Sequence, residues 1–461
     1  MGKRVLHGFG MLYNWPLDPR LKPGKEMDMR SNLYRQAMML PLILVLVATA
    51  VAGDEQWFQW RGPNRDGISA ETDWQARWSN KGPKLAWTEQ VGIGYGAVTV
   101  SDGRAVVMGY DKKAKQDVVY CFLADTGQQQ WRRAYSSSVH GKYYKGGPCS
   151  TPVIDGGRVY TLSGAGLAVC WSLKDGKKIW YQDLGKRAQA QRYEQGVPRK
   201  YRIVVPEWGF SGSPLLLGKA IVIDVGATFA LNKTNGKVLW RTDLNYGGAY
   251  SSPVAFSYKG KTALATFPNY GLVILDAGTG RELTKFRWET QYGVNSATPL
   301  ILDNRIFISS GYGTGCALLR LTDSGLERIW QNEDMSNKMA SCVAWEGHLY
   351  GFHNGEGAIQ CLDLKTGQPT WPDEQLRQRK LGDGALMLAD AKLIMISEGG
   401  ELVIAAADPQ GFKPIARLKV FQEKDCWIAP VLSGGRLYCR SSGGKVVCFD
   451  LRRDVSARVQ E

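Results

Sequence analysis

Histidine is scarce: four occur in 461 residues. His7 lies in the leader and His348 at a turn, and His140 and His353 are too far apart for the close spacing of a zinc site. The nine cysteines include no adjacent pair, and an odd count leaves at least one unpaired, so a dense disulfide framework is excluded. Past residue 52 no segment keeps a helical period. Only 22% of residues are charged, against 44% hydrophobic, a balance that excludes long-range disorder.

Long apolar runs are also missing, with one exception. "AMMLPLILVLVATAVA" (37 to 52) is sixteen residues, short of the roughly 20 that a spanning helix needs. Arg30 and Arg35 precede it, and Ala50-Val51-Ala52 supplies a small-x-small cleavage pattern, so residues 1–52 read as a leader with a signal peptide. A start at Met27 or Met29 would give that leader an ordinary length. No cysteine follows the cleavage site. The sequence thus predicts an exported protein of the periplasm or cell envelope, neither membrane-spanning after cleavage nor lipid-anchored.

What is abundant is glycine, at 54 residues, together with 16 Trp and 20 Tyr, a composition of short strands joined by tight turns. A strand, a Thr-Gly or Asp-Gly turn, three spacers and a tryptophan recur: "ADTGQQQW" ends at Trp131, "LKDGKKIW" at Trp180, "NKTNGKVLW" at Trp240 and "DLKTGQPTW" at Trp371. Weaker copies end at Phe286 and Trp330, and "ADPQGFKPIARL" is a degraded one. From Trp87 onward the spacings run from 41 to 60 residues, the period of a propeller blade. Between the copies lies a second unit, clearest in "CSTPVIDGGRVYTLS" (149 to 163), with relatives near Tyr95, Ser211, Tyr250, Ser296, Met339, Gly384 and Trp427.

Together these predict an all-β fold, an eight-bladed propeller of four-stranded antiparallel blades over residues 84–451. Residues 53–83 would form an N-terminal cap segment and 452–461 a tail. The eighth unit has three strands of its own, and "KLAWTEQV" (84 to 91) is the strand predicted to complete it. Trp87, Trp131, Trp180, Trp240, Trp330 and Trp371 are assigned to docking between blades. Cys439 and Cys448, symmetric about the turn in "CRSSGGKVVC", would face each other across a hairpin, as packed thiols or as a bonded pair.

Two nucleotide-like motifs fail on context. "AFSYKGKT" (255 to 262) fits a loose phosphate loop, but no helix follows it, so Lys259 and Gly260 read as a hairpin turn. "GYGTGC" (311 to 316) leads into a strand and lacks the last glycine of the dinucleotide fingerprint.

The "TGxxxW" repeats, the "SxPV" strands and the opening "WRGPNRDGIS" (60 to 69) resemble the pyrroloquinoline-quinone-like eight-bladed propeller family. That family includes quinoprotein alcohol dehydrogenases and non-catalytic propellers. For an enzyme the resemblance implies a quinone with calcium in the channel mouth, an Asp base and often an adjacent Cys-Cys disulfide. This chain has no such disulfide and no C-x-x-C-H haem site. No catalytic residue, cofactor-binding residue or metal ligand is assigned from it.

Propeller geometry places the connections between blades on one face, with the longest and most varied loops. The ligand-binding candidates there are His140, Tyr143, Tyr144, Trp208, Tyr246, Tyr270, Tyr292, Tyr312, His353 and Glu356, an aromatic rim with three ionisable members. The net charge is +15, about +11 without the leader. The insertion at 185 to 209 concentrates Lys186, Arg187, Arg192, Arg199, Lys200 and Arg202, with Glu194 the one acid between the first and last of them. Such a cluster attracts an acidic protein or polysaccharide, and no nucleic-acid module is present. The sequence therefore points to a binding or scaffolding module for an envelope protein or polysaccharide, with a quinoprotein alcohol or sugar dehydrogenase as the alternative. "WRGPNRDGIS" belongs to no repeat and reads as a structural cap.

Overall fold

The central strands of each repeat unit are apolar on both faces, so every sheet must be covered twice, and a ring of sheets packed face to face satisfies all of them. The computed structural model describes residues 56–79, 81–202, 205–248 and 250–453. The leader, with its alternative start residues, lies outside the described residues, as does most of the tail. Eight sheets follow in chain order: blade 1 (99–136), blade 2 (153–183), blade 3 (215–241), blade 4 (254–287), blade 5 (300–332), blade 6 (343–363), blade 7 (385–419) and blade 8 (431–450). In blade 1, Val118, Tyr120 and Phe122 pack toward blade 8, while their alternating neighbours Val119 and Cys121 pack toward blade 2. Seven such clusters fill the spaces between successive blades.

The repeat motif explains how the blades lock. The Trp131 indole on the outer strand of blade 1 donates to Leu173 O of blade 2 at 2.7 Å. Trp87, Trp180, Trp240, Trp330 and Trp371 make the same bond to Ala124, Lys233, Ala277, Leu364 and Asp408. Every accepting carbonyl lies three residues before the glycine of the next blade's turn. In five of the six pairs that glycine lies under the indole, and at Gly411 the Gln375 side chain covers it instead. At Gly176, with φ of +69°, a Cβ would come within 2.8 Å of the Trp131 ring, so both the conformation and the space demand glycine. Blade 4 has Thr284 at the tryptophan position, with Phe286, the residue the sequence pattern suggested, two places further along the strand, and the Tyr258 hydroxyl makes the bond to Thr322 O of blade 5 at 3.0 Å.

Nearer the axis a second set of bonds runs through the Ser/Thr-Pro strands. Ala97 N donates to Thr151 Oγ1, Thr151 N to Ser213 Oγ, and Ser213 N to Ser252 Oγ, each at 2.9 Å. Thr298 N donates to Ser341 Oγ at 2.8 Å.

The outer strand of blade 8 is Lys84–Gln90, paired antiparallel with Lys445–Asp450. All seven outer strands carry a bulge at the same step, the residue before the tryptophan or its equivalent, which bends the edge away from pairing with another chain. Blade 6 departs from the four-strand expectation. Pro369 and Pro372 remove the amides an outer strand needs, leaving the Leu362–Pro369 bridge and the bond from Thr370 N to Cys361 O. Arg379, fully buried on the short helix Leu376–Arg379, donates to Ile359 O at 3.2 Å and covers the rest of that edge.

The cysteine expectation is corrected by register. Cys439 pairs with Val447 and Cys448 with Tyr438, so the two thiols point to opposite faces of the hairpin, and all nine cysteines are free. Lys259 and Gly260 form the turn between Val254–Tyr258 and Lys261–Thr266, both at positive φ, a hairpin geometry.

The segment expected to cap the propeller runs through its axis. Trp57 pairs with Val100 of blade 1, and Phe58 O accepts from Ile154 N of blade 2. Arg65 donates to Ser213 O and Pro214 O beside blade 3, and the Trp60 indole to Thr298 Oγ1 beside blade 5. Arg61 reaches Cys342 O beside blade 6, and Ile68–Ser69 adds a parallel strand to blade 7. Glu71 accepts from Gly434 N and Gly435 N of blade 8. A chain starting at residue 81 should fold but melt lower by at least about 5 °C, a few kcal/mol for a protein of this size; an unchanged transition would show that the plug stabilises nothing. Trp131→Phe should cost about 1 kcal/mol and Trp131→Ala about 3–5 kcal/mol in urea unfolding.

Candidate functional site

Because inner strands converge on the axis, the residues just before them meet at the channel mouth on the loop face. There they enclose a cavity of about 270 Å³. Tyr95 comes from blade 1, and Tyr143, Tyr144 and Cys149 from the connection to blade 2. Trp208, Ser211 and Ser213 enter blade 3, Tyr250 and Ser252 blade 4, and Val294 and Ser296 blade 5. Tyr312, Lys338, Met339 and Trp427 complete the wall, and Trp60 of the plug closes the channel side.

The aromatic wall is ordered by ring contacts. Tyr95 stacks on Trp427 with centroids 5.5 Å apart and planes 21° from parallel, and Tyr144 meets Tyr95 edge-on at 5.0 Å. Trp208 packs on Tyr250 at 5.6 Å. Glu398 fixes Trp427 by accepting from its indole at 3.3 Å. Opposite, Lys338 donates to Asp383 at 2.9 Å, and Asn354 also donates to that carboxylate.

Charge states follow from burial. Burial pushes the hydroxyls of Tyr95, Tyr144, Tyr250 and Tyr312 upward and does the same to the Cys149 thiol, so all five stay protonated at neutral pH. Burial pulls Lys338 down, but its bond and charge contact with Asp383 outweigh that and leave it raised. The lining thus offers hydroxyl, indole and ring surface and one ammonium, without a group poised to exchange a proton near neutrality. It includes no carboxylate, and no three His, Cys, Asp or Glu side chains among the described residues cluster to hold a metal. This donor set does not fit a calcium-bound quinone, which needs carboxylate and amide oxygens and an Asp base.

Of the ten candidates, the structure brings Tyr143, Tyr144, Trp208 and Tyr312 into the lining. Tyr292 stands outside it, edge-on to Tyr312 at 5.0 Å and half exposed. Tyr246 is buried and donates to Glu282, and Tyr270 packs against Tyr246 and under Gly196. Both seat the basic insertion on blade 4. His140 packs on Gly164, and His353 accepts from Ser336 N at 3.2 Å; burial lowers both imidazoles toward the neutral form. Glu356 bonds Gln360 at 3.2 Å, away from the cavity.

The residues that the loops did not reveal, among them Tyr95, Ser252, Ser296, Lys338 and Trp427, sit at the heads of the repeated first strands. That repeat was readable, and convergence of inner strands is the rule that turns it into a lining. Trp60 gave no comparable signal, since nothing in its sequence places it in the channel.

The insertion carries the helix Leu184–Gln189, capped by Asp183, and the turn Arg199–Tyr201. It lies across blades 3 to 5: Asn245 donates to Ala188 O at 3.0 Å, and the Tyr201 hydroxyl to Gln291 O at 3.1 Å. Its six cationic side chains are all exposed. Lys186 pairs with Asp183, while Glu194 turns inward to Lys285 at 3.2 Å.

The family described as outer membrane protein assembly factor BamB matches residues 114–373. The chain belongs to this family. Comparison with curated protein sequences finds no match. Among solved structures it is similar to BamB from Moraxella catarrhalis, with 15% identity, a TM-score of 0.54, and coverage of 80% of this chain and 99% of that one. Quinohemoprotein alcohol dehydrogenase from Comamonas testosteroni gives 12% identity and 0.59, with coverage of 87% and 81%. The computationally designed Ika8 protein gives 12% and 0.57, with 80% and 100%. Likenesses this distant show the PQQ-like propeller fold alone, one that serves both catalytic and non-catalytic proteins.

Asp117, buried between blades 1 and 2, has its carboxyl raised to about 7 by burial, and its Oδ2 has no hydrogen-bond partner. The folded state then holds a proton that the unfolded chain releases near pH 4, so stability falls as pH rises from about 4 to about 7. Asp117→Asn should flatten that slope and raise the melting temperature at pH 8; the same slope in both proteins would place the proton elsewhere.

Proposed function

We propose that the protein is an exported, non-catalytic binding module that holds an acidic protein partner on its loop face in the cell envelope. One observation carries this reading. Six exposed cations share the insertion, its two carboxylates, Glu194 and Glu207, are committed to Lys285 and Lys142, and of the six only Lys186 has an acidic partner, Asp183, so most of the surface charge is left for a partner. Rim charges of this kind steer association and select acidic surfaces. The family's description as an assembly factor and the predicted leader support the envelope setting. No helix among the described residues is long and apolar enough to cross a membrane. The dehydrogenase reading has the fold in its favour, but the cavity lining holds no carboxylate, and Asp383 and Glu398 behind it are engaged by Lys338 and Trp427.

Replacing Lys186, Arg187, Arg192, Arg199, Lys200 and Arg202 with Ser should weaken retention of acidic envelope proteins at least about tenfold, and added salt should weaken the wild type likewise. Ser at Lys174, Lys219 and Lys237, exposed on the opposite face, should leave retention unchanged. Equal retention by both variants would refute the assignment. Added pyrroloquinoline quinone and calcium should give neither cofactor absorbance nor alcohol-dependent dye reduction; turnover would restore the enzyme reading.

A further inference from the structure

The axial cavity differs in chemistry from the basic surface above it. Its volume, about 270 Å³, lies near the low end of small-molecule sites, roughly 300–1,000 Å³, and suits one ring rather than a chain. On the side of blades 8 and 1 stand the stacked Tyr95 and Trp427 with Tyr144 edge-on. Across the cavity the hydroxyls of Ser252 and Ser296 stand beside the Trp208–Tyr250 ring pair. Ser252 Oγ accepts from Ser213 N and keeps its proton to donate. A pyranose offers a counterpart to each, an apolar C–H face for the rings and a rim of hydroxyls for the serines.

Charge narrows the class. Arg440 lies fully buried behind the wall, donating to Gly96 O and Gly92 O, and Arg65 lies beneath it, donating to Ser213 O at 3.0 Å and Pro214 O at 2.7 Å. Neither pairs with a carboxylate; Arg61 lies beside them but near Asp66. An aromatic box of this kind otherwise suits a quaternary ammonium, but with Asp383 and Asp425 paired to Lys338 and Lys145, the two guanidiniums outweigh the one remaining carboxylate, Glu398 behind Trp427. They attract an anion. Lys338 adds an ammonium in the wall whose bond to Asp383 uses one of its three donors.

We propose that this cavity seats the ring of an acidic sugar, a uronate, with its C–H face on Tyr95 and Trp427, its hydroxyls on the serines and its carboxylate toward Lys338. With no carboxylate pair in the lining, the cavity holds the sugar and does not cleave it.

Titration calorimetry with D-glucuronate, D-glucose, acetate and an acetylated phenylalanine amide tests this. Glucuronate should bind at least about tenfold tighter than either glucose or acetate, since stacking and charge must both act. Trp427→Phe should keep binding, and Lys338→Met should weaken glucuronate while leaving glucose unchanged. The six-Ser insertion variant should still bind glucuronate, which separates this site from the protein-binding surface. Trigalacturonate binding far tighter than the monosaccharide would identify a glycan as the source, and equal affinity a free sugar. Equal affinity for glucose would remove the role of charge, equal affinity for acetate the role of the ring, and preference for the phenylalanine amide would make the cavity a peptide site. Each of these, or a flat titration with all four, overturns the proposal.

Discussion

The structure depends on one contact made repeatedly, an indole N–H of one blade bonded to a carbonyl of the next. Each bond contributes on the order of 1 kcal/mol, too little alone to hold two sheets together. Its value lies in position. The carbonyl is always three residues ahead of the turn glycine, so in five of the six pairs the tryptophan that donates the bond also covers that glycine and seals the edge of the interface. Where this outer lock is joined by the inner relay of Ser and Thr hydroxyls, between blades 1 and 2, 2 and 3, 3 and 4, and 5 and 6, the blades are fixed to each other at two radii. A sheet held at two radii has little freedom to rotate about the interface, which gives the channel mouth a fixed shape.

Much of this was legible because the constraint is local in sequence. A turn glycine and a tryptophan four residues later are enough to place a blade, and seven copies fix their number and order. Where the copy was degraded the structure followed: Thr284 stands at the tryptophan position of blade 4 without an indole N–H, and Tyr258 supplies the bond; Pro369 and Pro372 keep the tryptophan but lose the strand. The register of Cys439 and Cys448 was not legible, because a single-residue offset at the turn reverses the faces.

The site was legible only in part, for a reason of scale. Long loops advertise themselves, and four of their aromatics do line the cavity. The rest of the lining comes from short strand heads whose convergence is a property of the closed ring. The plug shows the same limit more sharply. Its aromatics implied burial, yet the choice between lying over the propeller and threading it depends on Arg61 and Arg65 finding carbonyls at the strand heads.

Those two arginines connect stability to binding. Burial draws Arg65 down to about 9 and also lowers Arg61, yet both stay charged at neutral pH, because backbone carbonyls of two blade entrances and of the plug itself replace their water. Carbonyl dipoles solvate a cation without cancelling its charge. A channel filled by a neutral segment would be as well packed and would leave the mouth electrically indifferent. Filling it with guanidiniums makes the segment that closes the ring's axis, together with Arg440 of blade 8, a source of positive field above Trp60, so the proposed anion at the mouth would draw on the same residues that hold the plug in place.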